Sequence, residues 1–314
     1  MSSQQSEHTS HEIGIDAPAD TVYRVIAEAA AWPQHFAPTL RVEQTPLDGP
    51  TERLRIWATA NDEVKTWTSL RVRRPEALRV EFRQEVSSAP VASMSGTWTA
   101  EARPEGGTRL ALTHDFTAVD DDPGSLEWIR TATDRNSGTE LANIKAVAER
   151  WHRMGELVFS FEDSVTVKGE AREVYDFLYR AAQWPGRLPH VARLDLREDV
   201  PGVQAMSMDT LAKDGSVHTT ESIRICLADE LKIAYKQLVP PSLMAAHTGE
   251  WSLAQTDGGV LAVSRHTVTV NEANITKVLG ESGTVASARD FIRRAAGGNS
   301  LVTLQHAKEF VEAG

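Results

Sequence analysis

Two patterns of apolar and polar residues alternate along the chain, and each half carries both. Apolar positions spaced three or four apart over residues 18–30 and 170–182 predict one amphipathic helix in each half. A short strand is expected before each helix, at residues 11–15 and 164–167. Every half therefore begins with a strand and a helix.

Between these helices and the end of each half, apolar residues alternate with polar ones, as in half-buried strands. Turn residues separate the segments at regular intervals, which predicts an antiparallel meander. In the first half the predicted strands are residues 54–57, 65–73, 78–84, 93–101 and 109–117. In the second half they are residues 206–210, 218–227, 231–237, 247–254 and 261–270.

A long amphipathic helix ends each half. The residues on one face of this helix are Leu141, Ile144, Val147, Ala148 and Trp151 in the first half and Leu301, Leu304, Ala307, Lys308 and Val311 in the second. We predict an α+β fold in which a curved antiparallel sheet wraps around this helix. Such an arrangement leaves a concave cavity, the kind of place where small ligands bind.

The two halves are copies of one domain. Residues 21–33 recur as residues 173–185, with Val-Tyr near the start and Trp-Pro at the end of both. Proline removes a backbone donor and restrains the residue before it, so we expect the Trp-Pro pair to end each helix. An offset of 152 or 153 residues persists through the strands, as in a duplication. We predict two domains, residues 1–157 and 158–314.

Composition narrows the class of protein. The formal net charge of −11 disfavours binding to nucleic acid through phosphate neutralisation. No apolar run approaches the roughly 20 residues of a membrane span, and the N-terminus lacks the features of a secretion signal, so we expect a cytoplasmic protein without membrane contact. A single cysteine, Cys226, excludes an intrachain disulfide and fits a reducing compartment.

Familiar catalytic motifs are absent from the sequence. GxGxxG, the Walker loop, HExxH and GxSxG do not occur, so readings as a nucleotide-binding protein, zinc protease or serine hydrolase lack support. The candidate chemistry must therefore be sought at the same place in both halves or in the differences between them.

The segment Trp67-Thr-Ser69-Leu-Arg71 on the sheet and the segment Asn143–Gly155 on the last helix, in this order, resemble bacterial aromatic polyketide aromatase/cyclases. These proteins belong to the START-like superfamily, and the tandem layout resembles their di-domain branch. The resemblance covers nearly the whole chain. It implies two tandem helix-grip domains of the START/Bet v1 type, with no metal and no organic cofactor.

The resemblance also implies a function. Members of this family receive a linear poly-β-ketone tethered to an acyl carrier protein, fold it, close the first ring by aldol condensation and dehydrate it. Di-domain members typically close the C7–C12 ring of a chain reduced at C9. The expected partners are therefore the acyl carrier protein and other components of a type II polyketide synthase.

Matching the family's motifs residue by residue gives the candidate site. The resemblance implies catalytic residues at Ser69, Arg71, His114, Ser222, Arg224 and His266. We predict substrate contacts from Trp32, Trp67 and Glu140. Thr220 replaces the sheet tryptophan in the second half, and Ser300 is aligned with Glu140, which is expected near the start of the last helix.

One position departs from the family. The family has a tyrosine a few residues after Trp-Pro, whereas this chain has Thr39 in one half and Val191 in the other. This difference puts proton transfer by a phenol in doubt.

Strand periodicity and the repeat disagree about Arg71. Simple alternation places Leu70 and Val72 in the core and the Ser-x-Arg pair in solvent, whereas recurrence of the pair in both halves favours the cavity. An arginine stays charged at physiological pH, so in a cavity it would hold an enolate or alkoxide rather than act as a base. A strand histidine would move protons, and the serines would orient a carbonyl or water.

Two alternatives remain open. The same fold serves non-catalytic carriers of lipids or aromatic ligands, and a third possibility is an accessory protein that binds another protein through an exposed face. The Ser-x-Arg and histidine set favours an enzyme, because a passive carrier has little reason to bury an arginine. We expect the first half to be the better equipped site and the arginines of residues 71–83 to help dock an acidic carrier protein.

Overall fold

The computed structural model describes residues 6–60, 63–211 and 215–314. It divides into two compact units, Met1–Arg153 and Met154–Gly314. The boundary predicted from sequence, between residues 157 and 158, lies a few residues further on, where the first strand of the second unit begins. Each unit is described separately.

Each unit contains one seven-stranded antiparallel sheet. The strands of the first unit are β1 (Glu7–Ile15), β2 (Thr39–Pro46), β3 (Thr51–Ala60), β4 (Glu63–Arg74), β5 (Arg79–Val86), β6 (Val91–Ala102) and β7 (Thr108–Ala118). Those of the second are β8 (Val158–Val167), β9 (Val191–Val200), β10 (Val203–Leu211), β11 (Val217–Leu227), β12 (Lys232–Val239), β13 (Met244–Thr256) and β14 (Gly259–Val270).

The first helix and the long helix recur in both units, whereas the shorter helices differ. The helices are α1 (Ala19–Ala27), α2 (Trp32–His35), α3 (Pro123–Glu149), α4 (Trp151–Leu157), α5 (Ala171–Tyr179), α6 (Ile275–Leu279) and α7 (Val285–Glu312). Short 3-10 helices occupy Ala29–Ala31 and Ala181–Gly186. No helix in the described ranges is long and apolar enough to cross a membrane.

The antiparallel meander predicted from sequence is confirmed in both units. Strands β2 to β7 pair with their sequence neighbours, and β1 pairs with β7 at the far edge. The second sheet has the same order, with β8 beside β14. The strands β2 and β9 were missed by the pattern, because most of their residues stay at least partly exposed at a sheet edge and show no clean apolar alternation.

The first helix of each unit ends earlier than the Trp-Pro rule predicts, so that prediction was wrong. Helix α1 ends at Ala27, and Pro33 lies in the first turn of the separate helix α2. A proline is tolerated there because the backbone N–H groups of a first turn have no partner inside the helix. The last carbonyls of α1 accept hydrogen bonds from Arg71, a residue of the neighbouring sheet.

The last helix of each unit begins far earlier than its apolar stripe indicated. The Asp122 side chain accepts a hydrogen bond from the Ser125 N–H at 2.7 Å and caps α3, which starts at Pro123. Thr284 caps α7 in the same way, through the N–H of Ser287 at 3.1 Å. These early turns are mostly polar, so apolar periodicity alone did not reveal them.

The C-terminal ends of the two long helices are attached to their sheets by matching contacts. The Lys145 ammonium donates to the Gly14 carbonyl at 2.6 Å, and Glu149 accepts from the Asp16 N–H at 2.9 Å. In the second unit Lys308 donates to the Thr166 carbonyl at 2.9 Å. We call Lys145 and Lys308 the clasp lysines, because they mark equivalent positions on the two helices.

The core of the first unit lies between the sheet and its helices. It includes Ile15, Val22, Val25, Ile26, Val80, Trp98, Leu110, Leu112, Leu141 and Ile144, all buried. Because α1 and the second half of α3 contribute to the same cluster as β5, β6 and β7, the long helix packs on the inner face of the sheet. This confirms the predicted arrangement of a sheet around a helix.

Gly96 faces an aromatic ring in the first unit, so an added methyl group has no room. A Cβ there would lie 2.2 Å from the Thr113 carbonyl oxygen and 2.5 Å from Cζ of Phe82. We expect Gly96→Ala to lower the free energy of unfolding by about 1–3 kcal/mol. Gly138→Ala, in α3 with open space around it, should raise it by about 1 kcal/mol. Denaturant unfolding measures both; equal effects would contradict the packing.

Candidate functional site

Arg71 is fully enclosed on β4, with 3% of its surface exposed. Its Nε donates to the Glu52 carboxylate at 2.9 Å, and Nη2 donates to the same oxygen. Nη1 donates to the Ile26 carbonyl at 2.9 Å and Nη2 to the Ala27 carbonyl at 2.8 Å. The guanidinium also lies 5.2 Å from the centre of the Trp32 ring. One side chain thus joins the sheet, α1 and the Trp-Pro segment.

This arginine is what terminates α1. The last carbonyls of a helix have no intrahelical partner and carry the negative end of the helix dipole. The guanidinium satisfies two of them from the sheet side. Alternation had placed Arg71 in solvent and Leu70 in the core, and that prediction was wrong: Arg71 is buried, whereas Leu70 and Val72 keep partial exposure. The helix end supplies the polar partners that make the inward orientation favourable.

The second unit builds the same clamp with a different partner. Arg224 has no exposed surface; its Nη1 donates to the Gln204 amide oxygen at 2.8 Å and its Nη2 to the Leu178 carbonyl at 2.6 Å. The rings of Trp184 and Trp251 lie 5.1 and 5.9 Å from the guanidinium. Here too the arginine was buried against the expectation from alternation, and a neutral amide replaces the carboxylate of the first unit.

The acid and the amide exchange places between the two units. In the first, the Gln44 amide on β2 donates to Glu52 on β3. In the second, the carboxylate is Glu198 on β9, and it accepts from Gln204 on β10 at 2.8 Å and from Tyr179 at 2.7 Å. The buried positive charge is therefore neutralised directly in one unit and through an intervening amide in the other.

The serines that accompany the arginines are buried but differ in their contacts. The Ser69 hydroxyl donates to the Arg83 carbonyl at 3.0 Å. The Ser222 hydroxyl has no hydrogen-bond partner within the described part of the chain. Trp67 is partly buried beside Leu54 and Ile56. Of the two hydroxyls, Ser222 is thus the one with hydrogen-bonding capacity left over.

Trp32 serves the architecture of the first unit directly. Its indole N–H donates to the Val25 carbonyl at 3.1 Å, and its ring packs against Phe36 at 5.9 Å between centroids. Together with its position over Arg71, these contacts fix the segment that follows α1. The predicted substrate contact of Trp32 stays a prediction.

His114 on β7 lies on the inner face of the first sheet and is 9% exposed. Its ring meets Phe82 edge-on at 5.6 Å, and no described residue hydrogen-bonds to its Nδ1. Burial lowers the pKa of its imidazole to about 4. At neutral pH the ring is therefore uncharged, and one of its two nitrogens bears a lone pair.

Glu140 lies in the interior of α3, so its predicted position at a helix start was wrong. Glu140 lies five residues before its clasp lysine, as Thr303 does in the second unit. Ser137 and Ser300 each lie eight residues before theirs. The structural counterpart of Glu140 is therefore Thr303, not Ser300. Burial raises the pKa of the Glu140 carboxyl to about 7 although its side chain keeps some accessible surface. That combination is typical of a side chain that lines a cavity.

The polar cluster around His266 in the second unit was largely missed. His266 is buried and hydrogen-bonds to Ser300 Oγ at 2.8 Å and to His247 at 2.9 Å. Tyr235 Oη lies 3.2 Å from its Nδ1 and Ser264 Oγ 3.2 Å from its Nε2. Burial lowers the pKa of His266 to about 4.

A comparison of the halves contained the signal for this cluster. At offsets of 152 or 153 residues, Tyr235 replaces Phe82, His247 replaces Met94 and Ser264 replaces Leu112. Three polar residues in one unit thus stand where the other unit is apolar. The search for residues that the halves share could not find them.

Two further buried histidines follow the Trp-Pro pairs. His35 packs edge-on against Trp151 at 6.1 Å, and burial lowers its pKa to about 4. His190 lies with its Nε2 at 3.5 Å from Thr303 Oγ1, and burial also lowers its pKa. Among the described residues, no group of three or more His, Cys, Asp or Glu side chains is arranged to hold a metal ion.

Comparison with known proteins adds the family context. A family model described as polyketide cyclase / dehydrase and lipid transport matches residues 6–149. The granaticin polyketide synthase bifunctional cyclase/dehydratase of Streptomyces violaceoruber is 45% identical over 306 residues, 97% of this chain and 93% of the relative. The actinorhodin polyketide synthase bifunctional cyclase/dehydratase of Streptomyces coelicolor is 44% identical over 317 residues, 97% of both chains.

A solved structure is similar over the same length. The crystal structure of BexL, a di-domain ARO/CYC from the BE-7585A biosynthetic pathway, superimposes with a TM-score of 0.87 at 51% identity. The match covers 98% of this chain and 99% of BexL. The tandem helix-grip architecture predicted from sequence is confirmed by this similarity.

The two arginine clamps predict different responses to the same truncation. Arg71→Ala leaves the buried Glu52 carboxylate with only Gln44 and Arg73 as partners and should lower the free energy of unfolding by about 3 kcal/mol. Arg224→Ala leaves a neutral amide and should cost less. Adding Glu52→Gln to Arg71→Ala should restore part of the loss, because the stranded charge disappears. Urea unfolding measures all three variants, and a double variant no more stable than Arg71→Ala would contradict the charge argument.

The environment of Glu140 predicts a pH-dependent stability difference. Its pKa of about 7 in the folded protein lies above the ordinary value of 4.5, so the folded state holds a proton that the unfolded state releases between these pH values. The contribution of Glu140 to the free energy of unfolding is fully present below pH 4.5 and is lost as the pH rises to 7. Glu140→Gln should therefore match the parent at low pH and exceed its stability above pH 7.

The control for this measurement is Glu127→Gln, an exposed position on the same helix. Its stability difference from the parent should not follow pH through this window. A flat difference for Glu140→Gln would show that the carboxyl lies in an ordinary aqueous environment.

Proposed function

The chain belongs to the family of polyketide cyclases and dehydratases, and on that premise we propose that it closes and aromatises the first ring of a poly-β-ketone bound to an acyl carrier protein. The proposed reaction joins C7 to C12 of a chain already reduced at C9. The observation that carries the proposal is that the first unit holds both an uncharged buried histidine, on the inner face of its sheet, and a carboxyl group on its long helix whose pKa burial raises to about 7.

The two groups suit the two halves of the reaction. Ring closure breaks a C–H bond of an acidic methylene, and the electron pair forms the new C–C bond to a ketone carbonyl. We assign the proton to the neutral His114 imidazole, while the new alkoxide takes a proton from Glu140. Dehydration then breaks a second C–H bond, whose proton passes to the Glu140 carboxylate. The protonated His114 donates its proton to the hydroxyl, which leaves as water. Protons balance over the two steps.

The polarity of the first site fits this assignment. Glu140 with a pKa near 7 is present in both protonation states at neutral pH, so it can donate a proton and recover it. His114 has an unoccupied ring nitrogen on the inner face of the sheet. General acid–base groups work best when their pKa lies near the working pH, which favours Glu140 as the group that exchanges protons repeatedly.

We assign Arg71 a positioning role and keep the serines as substrate contacts. Most of the N–H groups of Arg71 already donate to Glu52 and to the end of α1. In the second unit the Nε of Arg224 and the hydroxyl of Ser222 have no partner in the described chain, so these atoms are the better candidates to hold a carbonyl or enolate oxygen.

The relatives and the distribution of charge support the proposed partners. The two cyclase/dehydratases and BexL belong to polyketide pathways, as their names state. Arg73, Arg74 and Arg79 keep about half of their side-chain surface exposed on an otherwise acidic protein. We propose that this stretch receives the acidic carrier, and other components of a type II synthase would supply the chain.

The test is product formation in a reconstituted synthase, with and without the ketoreductase that reduces C9. We expect aromatised C7–C12 product only with the reductase. His114→Ala and Glu140→Gln should each lower its yield by roughly 100-fold, the size of a general acid–base contribution. Glu127→Gln is the matched control on α3 and should retain full yield.

The contradictory outcomes are distinct. Normal product from both site variants would overturn the assignment to the first unit. Equal yield from the reduced and unreduced chains would overturn the proposed substrate. A product released without any dependence on carrier protein would overturn the proposed partner.

A further inference from the structure

Three buried side chains of the second unit and the partly buried Gln237 form a continuous line of hydrogen bonds. Gln237 Oε1 lies 2.7 Å from His247 Nδ1, and His247 Nε2 lies 2.9 Å from His266 Nδ1. His266 Nε2 then lies 2.8 Å from Ser300 Oγ. The line runs from β12 across β13 and β14 to α7, so it crosses from the sheet to the long helix.

With Gln237 Oε1 as the terminal acceptor, every bond in the line takes one direction, and the Tyr235 hydroxyl, 3.2 Å from His266 Nδ1, accepts from that nitrogen too. A carbonyl oxygen only accepts, so His247 Nδ1 must carry the proton. In a neutral ring His247 Nε2 is then a lone pair, and His266 Nδ1 must donate to it. His266 Nε2 becomes the unprotonated nitrogen and accepts from the Ser300 hydroxyl. The tautomers of both histidines are thus set by Gln237.

The surroundings keep both rings uncharged. Burial, together with a smaller effect of the neighbouring His266, lowers the pKa of His247 to about 3, and burial lowers the pKa of His266 to about 4. The charged groups that face His266 are Asp163 on β8 and Arg293 on α7, which pair with each other at 2.7 Å. Their opposite effects on His266 offset each other, and desolvation decides.

Packing holds the rings in line as well. Phe161 stacks on His266 with 4.8 Å between ring centroids, and His247 stacks on His266 with 5.2 Å between centroids. The Tyr235 ring fills the space left by Gly249, where a Cβ would come within 2.2 Å of it. A ring fixed on several sides keeps one orientation, which a proton-transferring group needs.

We propose that His247 and Gln237 are positioning residues that hold His266 with Nε2 unprotonated and directed at Ser300, so that this nitrogen receives substrate protons in the second unit. The proposal rests on the proposed function, because it needs a substrate that gives up a C–H proton. It adds two residues that act through His266 without touching the substrate.

The proton balance is simple. When a methylene C–H bond breaks, its electron pair stays on carbon as the enolate and the proton reaches His266 Nε2 directly or by exchange with the Ser300 hydroxyl. The imidazolium keeps its Nδ1–H bond to His247, whose own proton stays on His247 Nδ1, hydrogen-bonded to Gln237 Oε1. As the C–C bond forms, the new alkoxide takes this proton from His266 and becomes a hydroxyl. Dehydration then breaks a second C–H bond, His266 Nε2 receives that proton, and the proton passes to the departing hydroxyl, which leaves as water.

The first unit has no such line. At the positions of Tyr235, His247 and Ser264 it has Phe82, Met94 and Leu112, and the Nδ1 of its strand histidine has no partner in the described chain. The tautomer of His114 is therefore not fixed by a neighbour. The second unit is specialised for a histidine of one defined tautomer.

The first experiment reads the tautomers directly, by nitrogen NMR of the full-length protein labelled in histidine. We expect both His247 and His266 to carry their proton on Nδ1 at pH 7. His247→Met, which installs the residue of the first unit, should remove the acceptor and leave His266 as a mixture of tautomers. His247→Gln keeps an acceptor and should preserve the Nδ1 proton of His266.

The second experiment measures product in the reconstituted synthase. His247→Met and Gln237→Leu should lower the yield roughly 10- to 100-fold, as is typical when a group that orients another is lost. His247→Gln should stay close to the parent, and Met94→Leu in the first unit is the matched control.

The outcomes that overturn the proposal differ from those that overturn the function. His266 protonated on Nε2 in the parent protein, or an unchanged tautomer in His247→Met, refutes the line of bonds whatever the activity. A changed tautomer with normal product refutes its role in catalysis. The parent spectrum needs no variant, so the test survives a variant that fails to fold.

Discussion

The buried arginine at the end of the first helix is the interaction on which each unit depends. It satisfies helix carbonyls that would otherwise be stranded, and it stacks against the tryptophan of the Trp-Pro segment. A guanidinium has the planar set of donors that such a junction requires, and a lysine would not replace it. Because the junction fixes helix and sheet together, the concave face keeps a defined shape for the groups that line it.

A second constraint follows from burial. Charges are costly in the space between sheet and helix, so each charge there has a dedicated partner and the histidines remain neutral. Arg71 is paired directly with Glu52, whereas Arg224 reaches Glu198 only through Gln204. Glu140 is the exception, and its raised pKa shows how the site accommodates a carboxyl without a cation: it binds a proton instead.

Much of the architecture was predictable from sequence, because it rests on local patterns that the duplication shows twice. The alternation of apolar and polar residues predicted the meander, and the constant offset of 152 or 153 residues predicted the two halves. What failed were inferences that depended on a partner elsewhere in the chain. Alternation placed Arg71 in solvent because the helix carbonyls that receive it lie 44 and 45 residues away. Glu140 was matched with Ser300 because the early turns of α3 and α7 are polar and gave no register.

The polar line at His266 shows a limit of reading a repeat by what its copies share. Shared residues report what the fold needs, since both copies must close a helix and cover a sheet. Function that arose after duplication is found where one copy has become polar at a position that the other keeps apolar. His247 against Met94 is such a position, and burying a second imidazole there would be unfavourable unless Gln237 and His266 satisfied both of its nitrogens. The first unit thus keeps a buried carboxyl without a cation, whereas the second keeps a buried histidine whose two nitrogens both have partners.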